Sequence, residues 1–401
     1  MSIEIGLVPA ERHAEFTAPL RVAFGLPFDA ERAARMQRIR EVAHRLGAFD
    51  DGQLVGTAGA FDFTMTTPGG AVRTAGLTMV GVMPTHRRRG VLTRLMERHF
   101  EEARAARFPI SALWASEGQI YGRFGYGLAA LCASISLERE RAIFRRPAPK
   151  GGELRLLDEV AARASFPGVY DRVRAVTPGM MSRSELWWDF RRLGDFDKSA
   201  SPLQRVLLTI DGKPEGYALY RFTNKPTFTG IFELDLGVAE AVATSPAATA
   251  MLWRYLCDID LVRRVESTML PPTHPLLTMV TEARRLRMSV ADSLWVRILD
   301  ADAALAARTF PARGSVTFEL TDDRCPWNAG VFHIGDGRAA RSTSRPELRF
   351  DAAALGSLYL GGIGVQQLAD AGDIEELEAG AIERADALFR SARAPWCAEV
   401  F

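Results

Sequence analysis

The sequence predicts a mixed α/β protein with two successive helix-and-sheet units and a smaller α/β unit at the end. Three observations carry this reading. Apolar strand patterns alternate with amphipathic helices along most of the 401 residues, the mark of packed sheet and helix layers. One layout, helices, then a hairpin, then strand, loop and helix, occurs twice. Near Ser293 it gives way to short strands and turns. Length alone corresponds to roughly two or three domains. The run FRRPAPKGGE, residues 144 to 153, is rich in proline and glycine and ends the first unit. The expected domains are therefore 1–150, 151–290 and 291–401.

Composition bounds the function. Hydrophobic residues at 47% and charged residues at 25% fit a globular chain. No apolar run approaches the roughly 20 residues that span a bilayer. The start, MSIEIGLVPAERH, has neither a basic region nor an apolar one, so the expected location is cytoplasmic. Lys+Arg 50 against Asp+Glu 49 leaves +1, which supplies no global field for nucleic acid or an anionic membrane. The 4 cysteines are far apart, and the 6 histidines form no His-x-x-x-His pair. Neither a metal nor a disulfide framework is expected, and each cysteine reads as a small buried side chain.

Taken in order, residues 14–25 and 30–46 read as amphipathic helices, with Pro27 and Asp29 supplying a stop and an N-cap between them. LGAFDD and LVGTAGAFDFTMTTP are strands joined at Asp51-Gly52, a pair suited to a hairpin turn that needs positive φ. Leu77, Met79, Val80 and Val82 form a buried-strand run ended by Pro84. Then His86, Arg87, Arg88 and Arg89 lead through Gly90 into a helix with Leu92, Leu95, Met96 and His99 at helical spacing, ending near Arg107. A helix starting at such a turn aims free N–H groups and its positive dipole end forward, and an anion is the natural occupant. A basic cluster there is also compatible with a solvated turn. FPISALWAS follows as a strand. GQIYGRFGYG then packs its glycines so densely that its backbone must turn sharply or approach another group closely.

The second unit places helices around 167–194, a strand pair at VLLTIDGKPEGYALYRF, and then the strand, loop and helix of IFELDLGVAEAVATSPAATAMLWRYLCDI. Between Leu236 and Met251 there is no arginine, so this loop lacks the charge for a pyrophosphate. In the last unit, LWVRILDADAALAARTF, VTFELTDD and VFHIGDGRAARST alternate strands and turns, and Ala379 to Arg393 reads as a helix. The final residues, APWCAEVF, form an apolar tail whose Trp396, Val400 and Phe401 are better explained by burial than by a free end.

Arg87-x-x-Gly90-x-Leu92 resembles the Arg/Gln-x-x-Gly-x-Gly/Ala loop with which GNAT-fold N-acetyltransferases hold the pyrophosphate of acetyl-CoA, Leu92 departing at the last position. That departure, PTHRRRG, and ASEGQIYGRFGYG at 115–127 together are similar to the Eis family of acetyltransferases. The resemblance implies tandem GNAT-like domains, the second without a coenzyme loop, and a sterol-carrier-protein-like end domain. It implies acetyl-CoA as cosubstrate, no metal, and a homo-oligomer, the hexamer of the family. The backbone of Val80, Gly81 and Val82 would pair with the pantetheine arm. Arg87, Arg88, Arg89, Gly90, Val91, Leu92 and Thr93 would meet the pyrophosphate, with Ser116 and Glu117 across the arm. Tyr121 would protonate the leaving thiolate, and the α-carboxylate of Phe401 would act as base.

A core role for Tyr121 and a merely packed tail remain open, as do Glu117, His86 and a water chain as bases. Tyr126 is expected to pack against the hairpin. The implied reaction is acetyl transfer to primary amines of a small molecule, aminoglycoside- or polyamine-like, or to lysine. Family members that take aminoglycosides line their pocket with acids. Here Phe24 to Phe28 and Val400 are apolar or uncharged instead, with Asp29, Asp62, Glu185 and Glu399 as possible substitutes. The alternative is a non-catalytic lipid- or acyl-CoA-binding protein.

Overall fold

Two aspartate-glycine turns set strand register. Asp51 (φ 47°) and Gly52 (φ 78°) both adopt the left-handed region, as do Asp211 (φ 50°) and Gly212 (φ 73°). That geometry matches the twist of tightly connected antiparallel strands. The structure, a computed structural model, describes residues 3–25, 43–196, 200–226 and 232–401. It divides into two compact units, one comprising Met1–Ala130, Ser293–Pro395 and Glu399–Phe401, the other Leu131–Asp292 and Trp396–Ala398.

In chain order the first elements are β1 (Glu4–Leu7), α1 (Ala18–Phe24), β2 (Ala43–Asp50), β3 (Gln53–Thr67), β4 (Gly70–Val82), α2 (Val91–Ala105), β5 (Ile110–Trp114), α3 (Gly118–Gly122) and β6 (Gly127–Glu138). Next come β7 (Gly152–Leu156), α4 (Glu159–Arg174), β8 (Gln204–Ile210), β9 (Lys213–Pro226), β10 (Phe232–Ala243), α5 (Pro246–Asp258), β11 (Val262–Leu270) and β12 (Ser289–Ile298). The last stretch holds α6 (Ala301–Ala306), β13 (Val316–Thr321), β14 (Gly330–Gly335), β15 (Arg338–Arg341), β16 (Leu348–Asp351), α7 (Ala352–Leu358), α8 (Val365–Asp370), β17 (Ile374–Glu376) and α9 (Ala381–Phe389).

In the first unit the strands run β1-β2-β3-β4-β5-β12, and a second sheet has the order β15-β14-β13-β16-β17. Strand β12 lies antiparallel to β5, with Leu294 opposite Trp114 and Ile298 opposite Ile110. The second unit has the order β6-β11-β10-β9-β8-β7. Its aromatic run SELWWDFRR forms the short helix Glu185–Trp187 and continues as a π-helical turn, Trp188–Leu193.

Helix α2 forms because Val91, Leu95, Met96, His99, Phe100 and Ala103 fall on one face. That face packs in one core with Leu46, Ala48, Ala58 and Leu77 of the sheet. Each fully buried Leu, Met or Phe contributes roughly 1.5–3 kcal/mol. Truncating the fully buried Leu95 to alanine would therefore cost about 2–5 kcal/mol.

The expected first helix is shorter than its pattern: a 3-10 turn covers Ala10–Glu15 and α1 begins only at Ala18. The expected helix over 30–46 lies outside the described residues up to 42, but its last residues are strand. Leu46 pairs with Leu7 of β1 and Ala58 of β3, so sheet pairing overrides helical spacing there. The end unit holds a helix the strand-and-turn reading lacked: Asp300 caps α6 by accepting from the Ala303 N–H at 3.0 Å. All 4 cysteines are buried, and none is in a disulfide. Among the described residues no helix is long and apolar enough to cross a membrane.

Candidate active site

The site begins as a defect in β4. Met79 takes φ 51°, and the register against β3 shifts between Thr57 and Gly59, which is a bulge. The Thr57 hydroxyl donates to the Met79 carbonyl at 3.0 Å and holds it. On the other side β4 pairs with β5 only from Thr74 to Gly76, opposite Ile110 to Ala112. Beyond Gly76 the two parallel strands part, and the peptide groups of Val80, Gly81 and Val82 border the opening.

A cavity of about 550 Å³ occupies that opening, within the range of small-molecule sites. It is lined by Val80, Gly81 and Val82 on β4, by Arg87, Arg88, Gly90, Val91, Leu92 and Thr93 at the start of α2, and by Ser116, Glu117 and Tyr121 opposite. Gly90 is the N-cap of α2 with φ 76°. A Cβ built on it meets nothing within 4 Å, so open space lies before the helix N-terminus. Arg88 shares the left-handed conformation, φ 60°. Arg87 donates to the Ala23 carbonyl at 3.3 Å and to the Val82 carbonyl at 3.4 Å, which tethers its guanidinium to the cavity wall. Arg89 is outside the lining and pairs with Asp50 at 3.5 Å. Asp50 also holds His86 Nε2 at 3.1 Å, and the Thr85 hydroxyl lies 2.8 Å from His86 Nδ1. Arg89 and His86 thus brace the turn.

Tyr121 stands on α3, buried at 7% exposure yet facing the cavity. Burial pushes its phenol up to about 12, so it keeps its proton at neutral pH. Tyr126 is fully buried, in one core with Ala48, Val55 and Ala58 of the hairpin; its ring lies 6.2 Å from Phe100 on α2 and its hydroxyl 2.8 Å from Ser111 Oγ on β5. Because Ser111 Oγ donates to the Ala75 carbonyl at 3.0 Å, the Tyr126 O–H donates to Ser111. His99 Nε2 is also 3.0 Å from Ser111 Oγ. Burial and the nearby His44 charge lower His99 to about 4. Gly125 (φ 79°) explains part of the glycine density, since a Cβ there would lie 2.9 Å from the Arg297 guanidinium.

Phe401 is outside the cavity lining. Its ring packs 5.2 Å from that of Phe63, and a Cβ on Gly76 would lie 2.5 Å from Phe63 and 3.3 Å from Phe401. The last residue thus lies over Gly76, where β4 leaves β5. Within the second unit, Trp396 Nε1 donates to the Met269 carbonyl at 2.8 Å and its N–H to the Pro178 carbonyl at 2.9 Å. Burial does not extend to Val400, which is 47% exposed. Among the candidate acids, Asp62 is held by Arg73 at 2.6 Å and Glu185, 92% exposed, lies 3.7 Å from Arg163. Glu399 is completely buried rather than a surface charge. Asp29 lies outside the described residues.

Sequence reasoning missed Ile120 and Arg123 in the lining, and Ala23 beside Phe24. Arg123 had a signal, standing two residues after Tyr121 in the same motif. The Met79 bulge had none in its residue type.

A parallel strand pair that parts above a bulge, with an arginine-bearing helix N-terminus at the opening, defines an acetyltransferase of the GNAT class. Residues 4–129 and 179–298 each match the family of acetyltransferase (GNAT) domains, and 301–398 match the sterol carrier protein domain. An uncharacterized N-acetyltransferase of Streptomyces coelicolor is 38% identical, the match covering 94% of each chain. The N-acetyltransferase Eis of Mycobacterium tuberculosis is 35% identical over 87% of this chain and 86% of its own. The crystal structure of Eis1 from Mycobacterium abscessus is similar with a TM-score of 0.87 at 32% identity, over 99% of this chain and 100% of the other. The chain belongs to the Eis family of N-acetyltransferases, with two GNAT domains in tandem followed by a sterol-carrier-like domain.

Proposed function

We propose that this N-acetyltransferase uses acetyl-CoA and acetylates primary amines, of an aminoglycoside- or polyamine-like small molecule or of lysine. Residues 1–150 bind the cosubstrate, 151–290 form a second GNAT-like unit without a coenzyme loop, and 291–401 form the end domain. It works in the cytoplasm as a homo-oligomer, the family's hexamer. The observation that carries the reading is the convergence of Arg87, Arg88 and the Gly90 helix start with Tyr121 on one cavity at the β4 opening. The donor set fits a diphosphate: guanidinium groups, free N–H groups and a glycine that leaves space.

Acetyl-CoA supplies an activated acyl carbonyl. The chain's own part is to bind, orient and move protons. Val80, Gly81 and Val82 offer peptide groups to the pantetheine arm, the Arg87 to Thr93 segment receives the pyrophosphate with Arg89 bracing it, and Ser116 and Glu117 face the arm. The Phe401 α-carboxylate takes the proton of the incoming ammonium. An α-carboxyl titrates near ~3.5 in water, and desolvation raises it toward usefulness. Tyr121 gives its proton to the departing sulfur. The packing of Phe401 over Gly76 supports this assignment by bringing the chain end to the parting strands.

The test is thiol release from acetyl-CoA with a panel of polyamines, aminoglycosides and lysine peptides. Turnover with at least one amine is expected. No turnover with any of them, alongside tight fatty-acid binding, would favour a lipid binder instead.

A further inference from the structure

The second unit lacks an arginine between Leu236 and Met251, yet the fold brings arginines to its helix α5 from elsewhere. Arg145 and Arg146, from the linker after β6, and Arg254, two turns into α5, line a cavity of about 550 Å³ beside that helix. The linker is fixed there. Phe144 bridges Val280, the Arg145 N–H donates to the Met279 carbonyl at 2.8 Å, and Arg145 Nε donates to the Val280 carbonyl at 2.9 Å. Arg254 lies 4.4 Å over the Phe144 ring.

None of the three arginines meets a carboxylate among the described residues, and no acid lines the cavity. Arg145 and Arg146 are exposed and Arg254 is half-buried, and three guanidinium groups bordering one cavity with no acid make it electropositive, which favours an anion. A further donor faces the same space. Ser245 Oγ accepts from the Ala248 N–H at 3.2 Å and its carbonyl from Thr249, whereas the N–H of Ala247, a lining residue, has no acceptor among the described residues. The opposite wall is apolar, made by Pro147, Pro149 and Met279.

We infer that this cavity is a second anion site, for a phosphate-bearing ligand whose remaining body is flat and apolar, the chemistry of a nucleotide. Guanidinium groups and the Ala247 N–H hold the phosphates, and the body lies against the proline and methionine wall. The coenzyme cavity shows the same combination of a helix start and arginines, Arg87 and Arg88, that meet no carboxylate among the described residues. The second site stands independently of the coenzyme reading, because it shares no residue with that cavity.

The full-length chain is titrated with ADP and with inorganic pyrophosphate by calorimetry, alongside Gly90→Asp, Arg146→Glu and the double variant, each checked by circular dichroism. The expected count is two ADP per wild-type chain, one in each single variant and none in the double. At the second site ADP should bind at least tenfold tighter than pyrophosphate. A Gly90→Asp chain that binds no ADP, or an Arg146→Glu chain that keeps both sites, overturns the inference. Equal affinity for ADP and pyrophosphate overturns the apolar half of the ligand assignment. A Gly90→Asp chain that keeps both sites, with Arg146→Glu reduced to one, supports this site and removes the coenzyme assignment instead.

Discussion

Two tyrosines five positions apart illustrate how burial separates roles. Tyr121 is buried beside a cavity and Tyr126 beside a serine, so only the first has a free hydroxyl to offer a reacting atom. Tyr121→Phe should lower turnover by roughly 10²- to 10⁴-fold with little change in cosubstrate affinity. Steady-state kinetics beside calorimetry checks it, and an unchanged kcat would return Tyr121 to the core. A second residue-scale device is the buried pair of Arg297 and Asp322 at 2.6 Å, in which Asp322 also accepts from the Cys325 N–H at 2.9 Å and Asn328 Nδ2 at 3.0 Å. Asp322→Ala leaves an uncompensated buried cation and should cost about 3–5 kcal/mol in urea unfolding.

At the scale of elements, Gly90 joins conformation to chemistry. Its φ of 76° favours glycine, and the space before it is open. Gly90→Asp adds backbone strain and places a carboxylate where a phosphate is to bind, so acetyl-CoA binding should be lost. Unaltered affinity by calorimetry would refute the cradle. The cradle itself was legible, because strand, basic turn, glycine and amphipathic helix follow one another within about twenty residues of sequence. The opening was not legible. It depends on Met79 adopting φ 51° and on β4 losing β5 after Gly76, and neither has a residue-type signature. Residues 43–46 were misread for a related reason, since helical spacing continues into a segment that β1 and β3 claim for pairing. Cation placement in the second unit was illegible too, Arg145 and Arg146 being about a hundred positions from the helix they reach.

For the whole molecule, each unit carries one buried histidine held neutral. Burial lowers both His99 and His274 from 6.5 to about 4. Between those values the unfolded chain binds protons that the folded chain refuses, so stability is full above about pH 6.5 and is lost as pH falls toward 4. The loss should reach about 2 kcal/mol per histidine by pH 5. Urea titrations at pH 7 and pH 5 check this, and replacing both histidines by glutamine should flatten the difference. If it does not, other groups govern acid unfolding. The chain end offers a further test. Residues appended to Phe401 replace its carboxylate with a neutral amide, so a C-terminally tagged enzyme should be inactive and an N-terminally tagged one active, both folded by circular dichroism. Full activity of the C-terminally tagged form would send the search for a base to Glu117, His86 and a water chain.

The position of β12 constrains how the chain acquires its structure. Its residues lie against β5, with Val296 opposite Ala112, so the first unit completes its sheet only after some three hundred residues have been made. Until then β5 is an open edge, with unpaired N–H and C=O groups available to any other extended chain. A pairing so distant in sequence forms slowly, because the loop it closes is long. The stretch that matches a GNAT domain by sequence therefore lacks one neighbour of β5, and its aggregation risk is concentrated in the interval before β12 arrives.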